Sequence, residues 1–539
     1  MRRNEKRMTC WVRNSDAVGK RMGEPIYSFR MDGLAPPLSS SYTGQLFKHA
    51  QLESVKAWIG DPAHAALPLH ARIQRAVRQL ILDGALDVGR PLPASRALAK
   101  SLGVSRDTVE AAYSQLHVEG FIERRVGSGS FVSERARRLS GRGAARRAAA
   151  PTPSPGLSRR GAAIFQGGGL RDFLAPRPFA PGVPETRGFP LQTWERLQRQ
   201  VLKEYGTQAL PHSAPQGLEP LRRAIADYVN LERGARATPD RILVLTSSQQ
   251  ALALCATVLL DAGDRICIED PVYQGARKAF TAAGVDCLPI PLDADGIKVE
   301  YLHGTAPTAR AVYLTPSHQF PTGATLALDR RLAVIEWARR HRAWIIEDDY
   351  DSEFHYAGKP TACVQGLDPH ERTLYIGTFT KSLFPGLRIG YLVLPPSLVA
   401  PMTVARTLLD GHSAAIPQLT LARFIEGGHF GAHVRTMRAV YAERRDTLAR
   451  LVRKHLSGLV EPDVPAGGMQ MPCRFVRPLP EHKAVQAAQQ AGIELLGLTA
   501  LHASGGHDAG FLMGFAAYAP QEQEAAVKKL AKVLQALAR

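Results

Sequence analysis

Six short apolar runs rich in β-branched residues recur at 242–246, 266–269, 311–315, 344–347, 374–378 and 389–394, and helical stretches such as 249–260 and 329–341 lie between several of them. A run that is apolar at every position reads as a strand buried on both faces. Strand–helix alternation on this scale predicts an α/β fold built on a mostly parallel sheet with helices on both faces. In such a sheet the groups that meet a ligand gather at the strand tips.

The tips carry polar residues in a definite order. Thr246-Ser247-Ser248-Gln249 ends one run and opens a helix, so its amides and hydroxyls form a phosphate seat. Tyr273 follows the next run and is placed to stack on a flat ring. Thr315 to Gly323 is a strand end followed by a Pro-Thr-Gly turn, and Glu347-Asp348-Asp349-Tyr350-Asp351 puts several carboxylates at the end of a buried strand. Adjacent buried acids are costly unless one meets a cation. A protonated pyridine nitrogen is such a cation; a divalent metal is the competing partner, but no histidine or further acid stands at ligand spacing. In Gly377 to Gly390 a single lysine, Lys381, follows the hydroxyl-rich run Thr378-Phe379-Thr380, and Arg388 lies beyond a Pro385-Gly386 turn. A lysine that forms a Schiff base with an aldehyde needs a defined pocket, and a phosphate needs an arginine beside it.

Charge is unevenly placed. Residues 1–165 hold 27 Lys and Arg against 13 Asp and Glu, whereas the other 374 residues hold 41 against 36. A basic N-terminal third on a nearly neutral remainder suits a polyanion-binding module. From Pro68 the periodicity predicts a helix (Leu69, Ile73, Ala76, Val77, Leu80, Ile81), a second short helix from Ser95, a Gly103-Val104 turn, and a third helix capped by Ser105. Two short strands around Val126-Gly127-Ser128-Gly129 complete a winged helix-turn-helix. The third helix turns Ser105, Arg106 and Thr108 outward toward a major groove; Arg96 reaches a phosphate, and Arg124, Arg125 and Gly127 belong to the wing. Residues 1–67 are expected to be an N-terminal extension, partly disordered, and the arginine-, alanine- and glycine-rich 135–170 a flexible basic linker.

No apolar run approaches bilayer length, and no apolar leader core stands at the N-terminus. The six cysteines have no C-x-x-C spacing, which predicts reduced thiols rather than a disulfide or zinc framework, and a cytoplasmic location.

Leu92-Pro93-Ala94-Ser95-Arg96, Leu102 to Val109 and Glu119-Gly120-Phe121 resemble the DNA-binding domain of GntR-type regulators. The second half resembles fold-type I aminotransferases, and the chain from 68 onward resembles the MocR/GabR-type subfamily, in which the two are joined. The resemblance implies a winged helix at 68–134 and an aminotransferase-like domain at 171–539 that binds pyridoxal 5'-phosphate (PLP), with a smaller α+β subdomain from about 400. By position, Lys381 would form the Schiff base with PLP, Asp348 would pair with the pyridine nitrogen and Tyr350 with the ring oxygen. Ser247, Ser248, Thr378 and Arg388 would take the phosphate, and Tyr273 would stack on the ring. A homodimer, operator DNA, and a small amine, an amino acid or PLP itself as effector are implied partners. Two departures weaken the enzyme reading: Phe320 stands where aminotransferases carry Asn, and Leu512 where they carry a carboxylate-binding Arg. Arg277 is a candidate substitute. At most weak or half-reaction transamination is expected; the alternative is an active aminotransferase carrying a DNA-binding module.

Overall fold

The computed structural model describes residues 52–60, 67–125, 127–136, 156–170, 176–305, 308–356, 361–505 and 509–538. They form two compact units, one before and one after Gly156. Among the described residues no helix is long and apolar enough to cross a membrane.

The first unit is a helical bundle with a hairpin. Helix α1 spans 52–59, α2 Leu69–Leu82, α3 Ser95–Leu102 and α4 Arg106–Val118; strands β1 (Ile122–Arg125) and β2 (Gly129–Val132) pair antiparallel, with Ile122 opposite Val132. Of the apolar residues that the periodicity placed inward, Ile73, Ala76, Val77 and Ile81 of α2 and Val109, Ala112, Tyr113 and Leu116 of α4 are buried, Leu80 is half-buried, and Leu69 in the first turn of α2 is exposed; Tyr113 donates from its hydroxyl to the Pro93 carbonyl. Gly103 ends α3 at φ 67°, a left-handed conformation that costs a glycine least. Ser105 caps α4 by accepting from the Thr108 amide. The structure differs from expectation upstream: Val55 and Ile59 of α1 are buried in this same core, so 52–59 belong to the unit and not to an extension. Leu52, Val55, Trp58 and Ile59 form a stripe of barely two turns, too short to stand out from the unpatterned residues before it. Residues 1–51 and 61–66 lie outside the described residues.

Helix α5 (Arg159–Gly167) is a second difference, since it falls within the expected linker. Ser158 caps it, and Lys278 donates to the carbonyls of Gly168 and Gly169, tying its end to the second unit. None of its residues is buried, which is why no apolar period announced it. Residues 137–155 lie outside the described residues.

The second unit is built on an eight-stranded sheet of order β3-β10-β9-β8-β7-β4-β5-β6, comprising β3 Ile242–Leu245, β4 Arg265–Asp270, β5 Asp286–Asp293, β6 Gly296–Ile297, β7 Ala311–Leu314, β8 Trp344–Asp349, β9 Thr373–Thr378 and β10 Gly390–Val393. Strands β9, β8, β7, β4 and β5 run parallel; β10 is antiparallel to both neighbours. The short return from Thr378 to Gly390 forces that reversal, because a parallel crossover needs a dozen or more residues and usually a helix. Alternate side chains enter opposite cores. Ile266, Ile268, Tyr313 and Ile346 pack beneath helix α6 (Ser248–Leu259) and helix α7 (Gln274–Ala282), while Cys267, Val312, Leu314 and Ile345 face helix α8 (Leu328–His341). Strand β5 was not among the expected runs, since Pro289 and Pro291 read as breakers. It is tolerated because β5 pairs along its length with β4 alone and meets only the two-residue β6 on its other side.

A second sheet, β11-β12-β14-β13 (Val460–Pro462, Gln470–Phe475, Gly510–Gly514, Leu496–Gly497), is antiparallel and covered by helices. The smaller subdomain begins later than about 400. Met402 and Leu421 belong to cores of the large sheet, and the smaller core starts midway along the helix His429–His455, at Met437 and Tyr441. Helical periodicity shows that a helix is packed, not which sheet it covers.

Candidate functional site

Parallel strands bring their C-terminal ends to one edge, and the polar tips collect there. Gly390 is opposite Thr378 on one side and Leu245 on the other, so the turn after β3 lies beside the end of β9. A methyl group on Gly390 would come within 3.3 Å of the Ser247 backbone; the missing side chain is what lets β10 approach. Ser247 caps α6 by accepting from the Gln250 amide, leaving the helix N-terminus as a cluster of partly satisfied donors. Thr378 is buried at the end of β9, and its hydroxyl oxygen accepts from the Thr380 amide. Arg388 sits at φ 54° after a single 3-10 turn and is exposed in the isolated chain.

Lys381 projects from the β9–β10 connection, and its Nζ donates to the Gly182 carbonyl at 2.6 Å. Gly182, at φ 67°, has no room for a side chain, since a Cβ there would be 2.9 Å from that nitrogen. Gln470 of β12 is close to the same glycine, and its amide donates toward the Tyr350 hydroxyl. Lys381 and Tyr350 therefore share one pocket with residues of the small sheet.

The acid cluster at the end of β8 resolves into distinct roles. Asp349 is buried, which alone would raise its pKa, yet it is held below its usual value by Arg233, Tyr375 and Ser352. All three donate to Asp349 Oδ2, at 2.8, 2.5 and 2.8 Å. Asp348 has no such cation at contact distance. Burial pushes its carboxyl up to about 7 against the pull of Tyr313 and Lys381. Tyr313 donates to its Oδ2 at 2.9 Å, and Oδ1 is buried with no partner. Glu269, also raised to about 7 by burial, is occupied by the Thr315 hydroxyl and amide. Glu347 accepts from the amides of Val364 and Gln365. An unpartnered, buried carboxylate oxygen, a lysine amine in the same pocket and a helix N-terminus beside Thr378 fit a ligand that carries a basic ring nitrogen, an aldehyde and a phosphate. PLP is such a ligand. Among the described residues no cluster of His, Cys, Asp and Glu is arranged to hold a metal.

Tyr273 is fixed by close contact with Gly275 and by an edge-on contact with Phe320, whose ring also meets Tyr350. Phe320 in turn packs on Leu498, Leu501 and Leu512. The two positions at which the sequence departs from aminotransferases thus belong to one apolar cluster. Arg277 donates to the His502 carbonyl at 3.4 Å, and its charge is felt by Cys287 on β5. Gly182, Arg233, Tyr313 and Gln470 were missed from sequence. Arg233 ends an ordinary amphipathic helix, and Gly182 lies in an unpatterned Pro- and Gly-rich stretch, so neither carried a signal.

On the first unit, Arg96 and Arg106 are exposed. Arg106 and Arg124 flank Glu110, at 3.9 and 3.1 Å, and Arg124 also donates to Ser114. Arg125 lies over the Phe131 ring. Ser105 and Thr108 hydrogen-bond to one another at 2.8 Å as part of the cap. Gly127 forms the wing turn at φ 76°.

Residues 69–132 match the bacterial regulatory proteins of the gntR family, and residues 190–503 match aminotransferase class I and II. The chain is 35% identical over 481 residues to the probable rhizopine catabolism regulatory protein MocR of Rhizobium meliloti, covering 88% of this chain and 95% of that protein. It is 29% identical to the pyridoxine biosynthesis transcriptional regulator PdxR of Corynebacterium glutamicum, over 84% of this chain and 93% of that one. The kynurenine aminotransferase of Pyrococcus horikoshii superposes with a TM-score of 0.63 at 28% identity, covering 67% of this chain and 91% of that chain. With both halves matched in this order, the chain belongs to the MocR-type subfamily of GntR-family transcriptional regulators, in which a winged helix is joined to an aminotransferase-like domain.

Proposed function

We propose that this regulator binds PLP at the edge of the large sheet and uses that site to sense a small amine, an amino acid or PLP itself, altering how the winged helix binds operator DNA. The observation that carries the reading is Asp348: it is buried near Lys381 with one donor, Tyr313, no cation in contact and an unpartnered Oδ1, whereas Arg233, Tyr375 and Ser352 all converge on Oδ2 of the neighbouring Asp349. When bound, PLP supplies an aldehyde that captures primary amines and a ring that withdraws electrons. Lys381 would hold the aldehyde carbon through Nζ. Asp348 would keep a proton on the ring nitrogen, Tyr350 would meet the ring oxygen and Tyr273 the ring face. Ser247, Ser248, Thr378 and Arg388 would bind the phosphate. Fold-type I proteins pair as homodimers; that state suits the exposed Arg388, and it gives a palindromic operator two winged helices to meet. Action on DNA places the protein in the cytoplasm. A ligand changes DNA affinity only by binding two arrangements of the protein unequally.

The name of the PdxR relative supports a B6-type ligand among the effectors. Apolar residues at positions 320 and 512 support sensing over turnover. A lost charge-assisted clamp removes roughly 1.5–3 kcal/mol and the orientation of a substrate carboxylate.

Three outcomes are expected. PLP-loaded protein should absorb near about 420 nm, and Lys381→Ala should abolish the band; spectrophotometry after gel filtration checks this. Asp348 holds its proton to about pH 7 in the folded chain, against a reference value of 3.8. PLP-free protein should therefore lose stability as pH rises from about 4 to about 7. Asp348→Asn should remove part of that loss, on the order of 2 kcal/mol, measurable as a smaller fall in Tm. On DNA, Arg106→Ala should weaken operator binding at least about tenfold without changing PLP absorbance. Affinity should fall with log salt at a slope of about −0.9 per phosphate neutralised.

A further inference from the structure

The wall facing Tyr273 and Tyr350 is apolar. Phe320 touches the rings of both tyrosines and packs on Leu498, Leu501 and Leu512, so the position where a cation would otherwise hold a carboxylate is part of an apolar cluster. The sequence has no arginine between Arg477 and Arg539, which removes the strands of the small sheet beyond β12 as a source of one. On the opposite side, Asp351 is 2% exposed. Its Oδ1 lies 2.9 Å from His318 Nδ1, and its Oδ2 is buried without a partner. Asp348 likewise keeps a buried oxygen without a partner.

A ligand carboxylate placed against this wall would be stripped of water and would find no donor with formal charge on it. A hydrocarbon substituent gains from burial against Phe320 and Leu512 at about 25 cal/mol per Å². Together these oppose an α-amino acid and favour its decarboxylated counterpart.

We infer that the effector of this site is a primary amine with an apolar substituent and no carboxylate on the amino-bearing carbon. The inference rests on the reading of Lys381 as the amine that holds PLP. The Phe320–Leu512 cluster selects for the apolar substituent and against a carboxylate.

The test uses the full-length, PLP-loaded protein, freed of excess cofactor, and titrates two matched pairs: 3-methylbutylamine against leucine and 2-phenylethylamine against phenylalanine. Cofactor absorbance and tryptophan fluorescence are read together. Each amine should half-saturate at a concentration at least about tenfold below its amino acid, which is 1.4 kcal/mol. Leu512→Arg should move the preference toward the amino acid by a similar factor with the cofactor band retained. If that variant fails to fold, Phe320→Asn is read the same way. Equal or tighter binding of the amino acids, or no saturable response to either amine, overturns the inference while a band in the wild type leaves the cofactor reading standing. Absence of the band in the wild type overturns both.

Discussion

Two neighbouring carboxylates at the end of a buried strand are the constraint around which the second unit is arranged. Burial disfavours the charged form of each, and each raises the pKa of the other. The fold compensates one from within: Arg233, Tyr375 and Ser352 converge on Asp349. Each keeps one buried oxygen without a partner, but Asp348 is left with a single neutral donor, Tyr313, and no cation in contact. An unsatisfied buried carboxyl costs stability, and it persists where something outside the chain completes it. The asymmetry between two residues that differ by one position turns a stretch of structural polarity into a candidate ring-nitrogen site.

Much of this was legible in the sequence because parallel strands announce themselves. Their apolar runs are broken where a polar residue reaches the sheet edge, so Ser247, Asp348, Thr378 and Lys381 could be picked out with their neighbours. The winged helix was legible for a similar reason: Gly103 and Ser105 punctuate two helices whose apolar stripes are unambiguous. What was not legible depends on long-range contacts. Arg233 meets Asp349 across 116 positions and Gly182 meets Lys381 across 199, and nothing local in either residue marks the encounter. Strand β5 was hidden by prolines that only its place near the sheet edge excuses. The helix at 52–59 was hidden by its brevity. The start of the small subdomain was misplaced because the helices after 396 pack on the large sheet before the chain leaves it.

The same residues that recommend a cofactor argue against ordinary transamination. A catalyst for amino acids needs a fixed carboxylate so that the bond to be broken is held in one orientation. Here that side of the pocket is Phe320 against Leu512, while the acids near Lys381 remain. Under the proposed function, a pocket that captured amines without orienting them for turnover would be suited to report that an amine is present. Joined to a winged helix with exposed Arg96 and Arg106, it becomes a device whose output is DNA affinity.

That claim is tested by the coupling between the two units. Operator DNA selected by the full-length protein is titrated, by fluorescence anisotropy at fixed salt, with wild type and Lys381→Ala, each with and without PLP and with PLP plus 3-methylbutylamine. Coupling between sites typically changes affinity about 5–150-fold. The account predicts a change of at least about fivefold in the wild type on adding PLP or the amine, and none in Lys381→Ala. Identical DNA affinity under all conditions would contradict it.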